Sequence, residues 1–367
     1  MARSRVLRPP AGRQPESGRM IMTDDDMLAL VVRGHRDHGL ERRPRPEPGP
    51  GEALVATDFA AMCGTDLRLL DGTLHDAEYP VIPGHEWSGT VLAAPDRPEL
   101  VGRAVVGDNF RLCGRCPACL AGRPNLCTDI DEVGFTRPGA FAQLFTIPAA
   151  NLVALPPQVP GPQACLLEPL GVALHAVERA GAVSGRSVGV IGAGTIGLLV
   201  AQLARGAGAS RVRVADPLQS RRRIAADLGV DADPGIEGWH PDLPEVVFDA
   251  TGAAGVFPRG LTATAVGGVY VLVGYSGAEA VTVEPSTVML RELTVQGVLS
   301  GQGQLRTALA KVVAGEVRLG PLTGDPVPLT SYRSVLERDG PAPLRLFFHV
   351  GGDRTAGATS QEQGVTA

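Results

Sequence analysis

The hexapeptide Gly192-Ala193-Gly194-Thr195-Ile196-Gly197 follows directly on the apolar run Ser187-Val188-Gly189-Val190-Ile191 and runs directly into the helix-like stretch Leu198 to Gly206. G-x-G-x-x-G by itself is a weak motif, but between a strand and a helix it restricts the fold severely. The first glycine allows a tight turn, the second lets backbone approach a pyrophosphate, and the third lets the helix pack close to the strand. The helix start then offers free N–H groups and partial positive charge to phosphates. A second strand, Val212-Arg213-Val214-Ala215, ends at Asp216, 22 residues after Gly194. An acid there accepts hydrogen bonds from the adenosine ribose hydroxyls. The expected cofactor set is therefore Gly192, Gly194, Thr195, Ile196, Gly197 and Asp216, and it favours NAD. Arg221, Arg222 and Arg223 come next. They can receive a 2′-phosphate, which keeps NADP open, or they can form a solvated helix face. Val246 to Asp249, Val269 to Val273 and Leu293 to Gln296 read as further parallel strands, which makes this part α/β, a Rossmann-type doubly wound parallel sheet. The alternative is a glycine turn in some other α/β fold.

The rest of the chain has a different texture. From Met27 to about Pro156, short strand-like runs such as Glu52 to Thr57 and Ser88 to Ala93 are broken by Pro and Gly, as in a β-rich, barrel-like domain. Around Ala164 to Ala182 the period becomes helical, with Leu166, Leu170, Ala173, Leu174 and Val177 on one stripe. The 47 glycines and 31 prolines among 367 residues suit many tight turns, and the length suits two domains. With 44% apolar and 20% charged residues, wholesale disorder is excluded. The net charge of −5 argues against a nucleic-acid partner. The longest nearly uninterrupted apolar run, Val188 to Ala201, is shorter than the ~18 residues of a membrane span, so no membrane partner is expected. Residues 1–26 carry five arginines with no apolar core after them, which fits a disordered extension better than a secretory leader. Residues 351–367 read as a disordered tail.

Six cysteines are too few for a disulfide scaffold at this length, yet four of them cluster as Cys113, Cys116, Cys119 and Cys127. Four thiolates in a short loop satisfy tetrahedral zinc, and with no open position such a site is structural. Gly114, Pro117 and Gly122 let the loop wrap the ion. An iron–sulfur cluster is the rival reading, since ferredoxin runs use similar spacings.

With these two motifs together, the sequence resembles the zinc-dependent medium-chain alcohol dehydrogenases, over roughly Met27 to Val350. Cys63-Gly64-Thr65-Asp66, Pro83-Gly84-His85-Glu86 and Glu168-Pro169-Leu170 look like the three catalytic-zinc segments of that family, with the four-cysteine lobe between the second and third. The resemblance implies a GroES-like catalytic domain over 27–170 carrying the zinc lobe, a Rossmann NAD-binding domain over 171–302, and a return to the catalytic domain over 303–350. It implies Cys63, His85 and Glu168 as ligands of a catalytic zinc with one open position, hence two zinc ions per chain. Thr65 would take the alcohol proton into a relay, and Asp66 would orient the zinc-binding histidine. Glu86 would be either a fourth resting ligand or a nearby hydrogen-bonding group. Taken singly, Cys63 and His85 could be a buried thiol and a core histidine, and Glu168 an acid at a helix start. Cys165, three residues before Glu168, reads as a small buried residue or one that approaches the site. The resemblance further implies a cytoplasmic homo-oligomer acting on a small molecule.

Several stretches are similar to the 2-deoxy-scyllo-inosamine dehydrogenases of aminoglycoside antibiotic biosynthesis: Tyr79 to Gly89, Val105 to Asp108, Gly134 to Thr136, Glu168 to Leu174 and Leu344 to Phe348. That likeness implies an aminocyclitol substrate, whose ring hydroxyl is oxidised to give an amino-ketone. A general polyol, sugar or threonine-type dehydrogenase is the alternative, and a catalytically silent binding protein the third reading. The polar residues His75, Asp76 and Glu78, between the first two zinc segments, are candidate substrate contacts or simply a polar surface loop. Gly229 to Glu245 departs from the family pattern by being short and rich in Pro and Gly.

Overall fold

The computed structural model describes residues 26–74, 77–277, 280–338 and 343–351. The expected disordered extension and tail lie outside the described residues, apart from Asp26 and Gly351, and so do His75 and Asp76.

The strands, in chain order, begin with β1 (Asp26–Gly34), β2 (Asp37–Pro44), β3 (Glu52–Met62), β4 (Glu86–Ala93), β5 (Ala104–Gly107), β6 (Phe110–Arg111), β7 (Asp131–Glu132), β8 (Leu144–Pro148) and β9 (Leu152–Ala154). They continue with β10 (Ser187–Ile191), β11 (Arg211–Ala215), β12 (Asp231–Asp233), β13 (Val246–Asp249), β14 (Val269–Leu272), β15 (Thr294–Gly297), β16 (Val327–Pro328) and β17 (Leu346–His349). Two sheets organise the molecule. One has six strands in the order β12-β11-β10-β13-β14-β15, every pairing parallel. This is the doubly wound Rossmann order, and it creates a crevice at the carboxyl ends of β10, β11 and β13 where the winding direction reverses. Val188, Val190, Val246, Val247, Phe248 and Tyr270 are buried, because helices or loops cover both faces of a parallel sheet.

The other sheet runs β16-β17-β3-β4-β5-β9, with β8 also on β3. Strand β17 comes from the far end of the chain and pairs antiparallel with β3, Leu346 opposite Met62. Its core holds Trp87, Phe141, Phe145, Ile147, Leu152 and Phe348. A second core cluster reaches from Ala61, Val106 and Phe347 to Val188, Val190 and Val200, so the two sheets share buried packing rather than a linker.

The helical stripe near Ala164 resolves into α-helices Gly161–Ala164 and Leu167–Arg179, with Leu166, Leu170, Ala173 and Leu174 buried as expected and Val177 partly so. Residues 229–245 hold β12 and a short 3-10 turn, Ile236–Trp239, whose Trp239 is fully buried. The large, mostly apolar indole, whose Nε1 is buried without a hydrogen-bond partner among the described residues, anchors by packing a segment that is otherwise too rich in Pro and Gly to form a helix.

Candidate functional site

Cys63 leaves β3 and becomes the N-cap of the helix Gly64–Leu70. Its sulfur accepts a hydrogen bond from the Thr65 amide at 3.2 Å, while Asp66 Oδ2 accepts from the Cys63 amide at 2.9 Å. This reciprocal cap fixes Cys63 and Asp66 relative to one another. Thr65 stays partly exposed in the first turn. His85 precedes β4, with its carbonyl held by Asn109 Nδ2 at 2.6 Å and its ring against Phe135 at 5.0 Å. His85 Nε2 lies 3.1 Å from Cys63 Sγ, and its Nδ1 faces Asp66 Oδ1 at 3.4 Å. Glu168 enters from the first turn of the helix Leu167–Arg179.

These groups form two overlapping sets, Cys63–Asp66–His85 and His85–Glu86–Glu168, each with ligand atoms within 4.8 Å of one another. Glu86 Oε2 is buried here without a hydrogen-bond partner among the described residues, while His85 Nδ1 and Asp66 Oδ1 have one another as an ion pair at 3.4 Å. Burial opposes a charge on His85, but Cys63 and Asp66 outweigh it and raise its basicity well above the ordinary value. Burial pushes the Glu168 carboxyl up to about 8, against the opposing pull of His85. Thiolate, imidazole and carboxylate converging in a buried space, with the unpartnered Glu86 Oε2 beside them, match a single dication of the zinc type.

Glu86 is spoken for in a way the sequence did not reveal. Its Oε1 pairs with the buried guanidinium of Arg345, which leads into β17. Arg345 Nε also donates to Thr195 Oγ1 at 3.2 Å. One buried arginine therefore joins the metal-ligand cluster to the glycine turn. Along the sequence, Leu344 to Phe348 carries no local sign of this role, which depends on the long-range pairing of β17 with β3.

In the glycine turn, Gly192 has φ +97°, and a Cβ on Gly197 would lie 1.9 Å from the Gly192 carbonyl oxygen. Gly194 is the N-cap of the helix Thr195–Gly206, and a Cβ there would meet nothing within 4 Å. The turn therefore closes on itself at Gly197 and opens to the crevice at Gly194, as a pyrophosphate requires. The crevice has a volume of about 420 Å³, and Gly192, Gly194, Asp216, Arg221 and Thr251 line it. Thr195 is buried, and Ile196 is partly buried against the core. Asp216 sits at the expected place but is already engaged: Oδ2 accepts from the Ala193 amide at 2.9 Å, Oδ1 from the Leu218 amide at 2.8 Å, and Arg221 Nη1 lies 3.6 Å away. A carboxylate accepts at about four sites, so Asp216 can brace the turn and still take a ribose hydroxyl.

Cys113, Cys116, Cys119 and Cys127 place their sulfurs within 4.8 Å of one another, and all are free thiols. Gly114 and Gly122 take the left-handed conformation, φ +68° and +69°. Amides of Cys119 and Thr128 push the Cys116 thiol down to about 6, and those of Cys113 and Asp129 lower Cys127. A 2.3 Å zinc–sulfur bond implies sulfurs about 3.8 Å apart, and Cys127 and Cys113 stand at 3.5 Å. A multi-iron cluster, which puts its own irons and sulfides between the thiolates, needs a wider cage, so one ion fits. Cys165 is fully buried near Ser88 and Gly161, outside both ligand sets, and burial raises its thiol. Glu78 is exposed.

Two family descriptions match the chain: an alcohol dehydrogenase GroES-like domain over residues 49–157 and a zinc-binding dehydrogenase over 195–314. The sorbitol dehydrogenase of Ovis aries is 33% identical over 323 residues, covering 82% of this chain and 90% of that one. An L-threonine 3-dehydrogenase of Chelativorans sp. (strain BNC1) is 36% identical over 212 residues, 56% of this chain and 61% of its own length. Among solved structures, a zinc-binding dehydrogenase of Sinorhizobium meliloti 1021 bound to NADP superposes with a TM-score of 0.82 at 29% identity, over 89% of this chain and 99% of that one.

Proposed function

The chain belongs to the zinc-dependent medium-chain alcohol dehydrogenase family, and from that premise we propose that it oxidises a hydroxyl of a polyol- or sugar-type substrate with zinc and NAD(P). The observation that carries this reading is the buried Arg345 link: it ties the Cys63–His85–Glu168 cluster to the glycine turn, so that a substrate held at one can react with a nucleotide held at the other. Zinc at the cluster supplies a Lewis acid for the substrate oxygen, and the dinucleotide supplies the hydride acceptor. Cys63, His85 and Glu168 hold the ion. Asp66 orients His85 through Nδ1, and the Thr65 hydroxyl takes the substrate proton. The amides after Gly194 bind the pyrophosphate, and Asp216 takes the ribose hydroxyls, favouring NAD. Arg221 beside it gives a 2′-phosphate a foothold.

The relatives are polyol and threonine dehydrogenases, which supports the polyol reading over the aminocyclitol one. The finer reading, 2-deoxy-scyllo-inosamine oxidised to its amino-ketone, rests on the stretches quoted from the sequence. NADH formation with sorbitol, L-threonine and 2-deoxy-scyllo-inosamine separates these substrates, and no turnover of any polyol refutes the proposal. Cys63→Ser should lose activity and one of two zinc ions while remaining folded. We also read the chain as a homo-oligomer: β15 is an edge strand with Thr294 and Val295 exposed and Met289, Leu290 and Leu299 exposed nearby, an open edge that a second copy can cover. Sedimentation that gives a monomer rejects this. Among the described residues no helix is long and apolar enough to cross a membrane.

A further inference from the structure

Glu132 is a carboxylate that pairs with no side chain among the described residues. It ends β7, whose partner β6 places Phe110 opposite it. The following residues are pressed onto the His85 loop. The Val133 amide donates to the carbonyl of Asn109, the residue that holds the His85 carbonyl. A Cβ on Gly134 would lie 3.0 Å from the Gly84 carbonyl, and Phe135 packs on the His85 ring. This places the Glu132 side chain where its charge is felt by His85, Asp66 and Glu168 together. Three nearby acids have cations: Glu86 has Arg345, Asp131 has Arg111 at 3.0 Å, and Glu52 has Arg137. The Glu132 carboxylate is partly buried and has no ion pair or side-chain hydrogen bond among the described residues. Nor does it belong to either ligand set around His85.

A half-buried carboxylate with no counter-ion beside a ligand site is matched best by a cation that arrives with the ligand. We infer that Glu132 is a substrate-recognition residue that receives a protonated amine on a polyhydroxylated substrate whose reacting hydroxyl is at the His85 cluster. This deepens the proposed function and rests on its placing the reaction at that cluster. A neutral polyol gives Glu132 only hydroxyl hydrogen bonds, so the residue selects for the amine. Burial pushes the Glu132 carboxyl up to about 7, which leaves it ionised at pH 8 while a primary amine is still protonated.

Calorimetry at pH 8 on the purified protein, with its zinc content measured, tests this with glucamine against sorbitol and with 2-deoxy-scyllo-inosamine against the cyclitol bearing hydroxyl in place of the amine. The amine is expected to bind at least tenfold more tightly within at least one pair, and Glu132→Gln, with its zinc content retained, should bring that ratio close to one. Equal binding of amine and neutral partner by the wild type in both pairs overturns the inference, as does an unchanged ratio in Glu132→Gln. Binding is read without turnover, so a failure of either pair to be oxidised counts against the dehydrogenase reading alone.

Discussion

Replacing Arg345 with methionine leaves the Glu86 carboxylate, 2% exposed, without its cation. At an effective dielectric of about 20, two unit charges about 4 Å apart attract by about 4 kcal/mol. Breaking one side of a buried pair elsewhere costs about 3–5 kcal/mol, mostly because the other charge stays buried alone. The Thr195 hydroxyl also loses its donor, which adds about 1 kcal/mol. A loss of about 4 kcal/mol is a large part of a normal folding free energy. Urea unfolding followed by tryptophan fluorescence measures it well here, because the two tryptophans divide between the sheets: Trp87 lies in β4, and Trp239 is buried beside the parallel sheet. The double variant Arg345→Met with Glu86→Met removes the charge as well as its partner and should recover most of the loss, as apolar replacement of buried ion pairs generally does. A coupling energy of about 2 kcal/mol or more between the two positions is expected. If Arg345→Met costs less than about 1 kcal/mol, or if the two substitutions simply add, the buried pair does not hold the two sites together and the reasoning fails.

Glu132→Gln should stabilise the fold more at pH 8 than at pH 5. The folded-state value near 7 lies above the ordinary 4.5, so Glu132 favours folding below about 4.5 and loses that contribution as pH rises through 7. The resulting gain for glutamine has an upper bound of about 3 kcal/mol, and melting temperatures at the two pH values check it; an equal gain at both contradicts the burial argument. Gly197→Ala should unfold the nucleotide turn, because its Cβ would overlap the Gly192 carbonyl oxygen, whereas Gly194→Ala should leave the melting temperature unchanged and weaken NADH binding. Thermal melts and NADH fluorescence titration separate the two, and equal effects on both readouts would contradict the geometry. Cys119→Ser should reduce zinc from two ions to one per chain and expose the 113–127 loop to limited proteolysis, while retention of both ions would show that the lobe does not depend on the full thiolate set.

Much of this was readable along the chain because it is local chemistry. The strand–turn–helix around Gly192 depends on neighbours within a dozen residues, and the observed strand Ser187–Ile191 and helix Thr195–Gly206 reproduce it. The cysteine lobe is equally local, since all four sulfurs come from fifteen consecutive residues. The helix expected around Ala164 to Ala182 is interrupted after Ala164 and resumes at Leu167; a hydrophobic stripe reports which face is buried but not where backbone hydrogen bonds pause. Cys63, His85 and Glu168 lie 22 and 83 residues apart along the chain, and only their order could be read; that His85 is the shared member of two overlapping sets needed the fold.

The spacing of the glycines and of the four cysteines carries turn geometry and ligand chemistry directly, so the parallel nucleotide-binding unit and the four-thiolate lobe are legible along the chain, whereas Cys63, His85 and Glu168 were legible as a set only through likeness to a known family. Tertiary structure alone decided that Arg345 neutralises Glu86 and reaches Thr195, that Asp216 braces the turn it was expected to serve, and that Glu132 stands without a partner beside the cluster. The reason is physical. The presence of a charge is written in the residue, but its pairing depends on which distant strand is laid beside it, and here β17 returning to β3 brings a cation to Glu86 while no described residue brings one to Glu132.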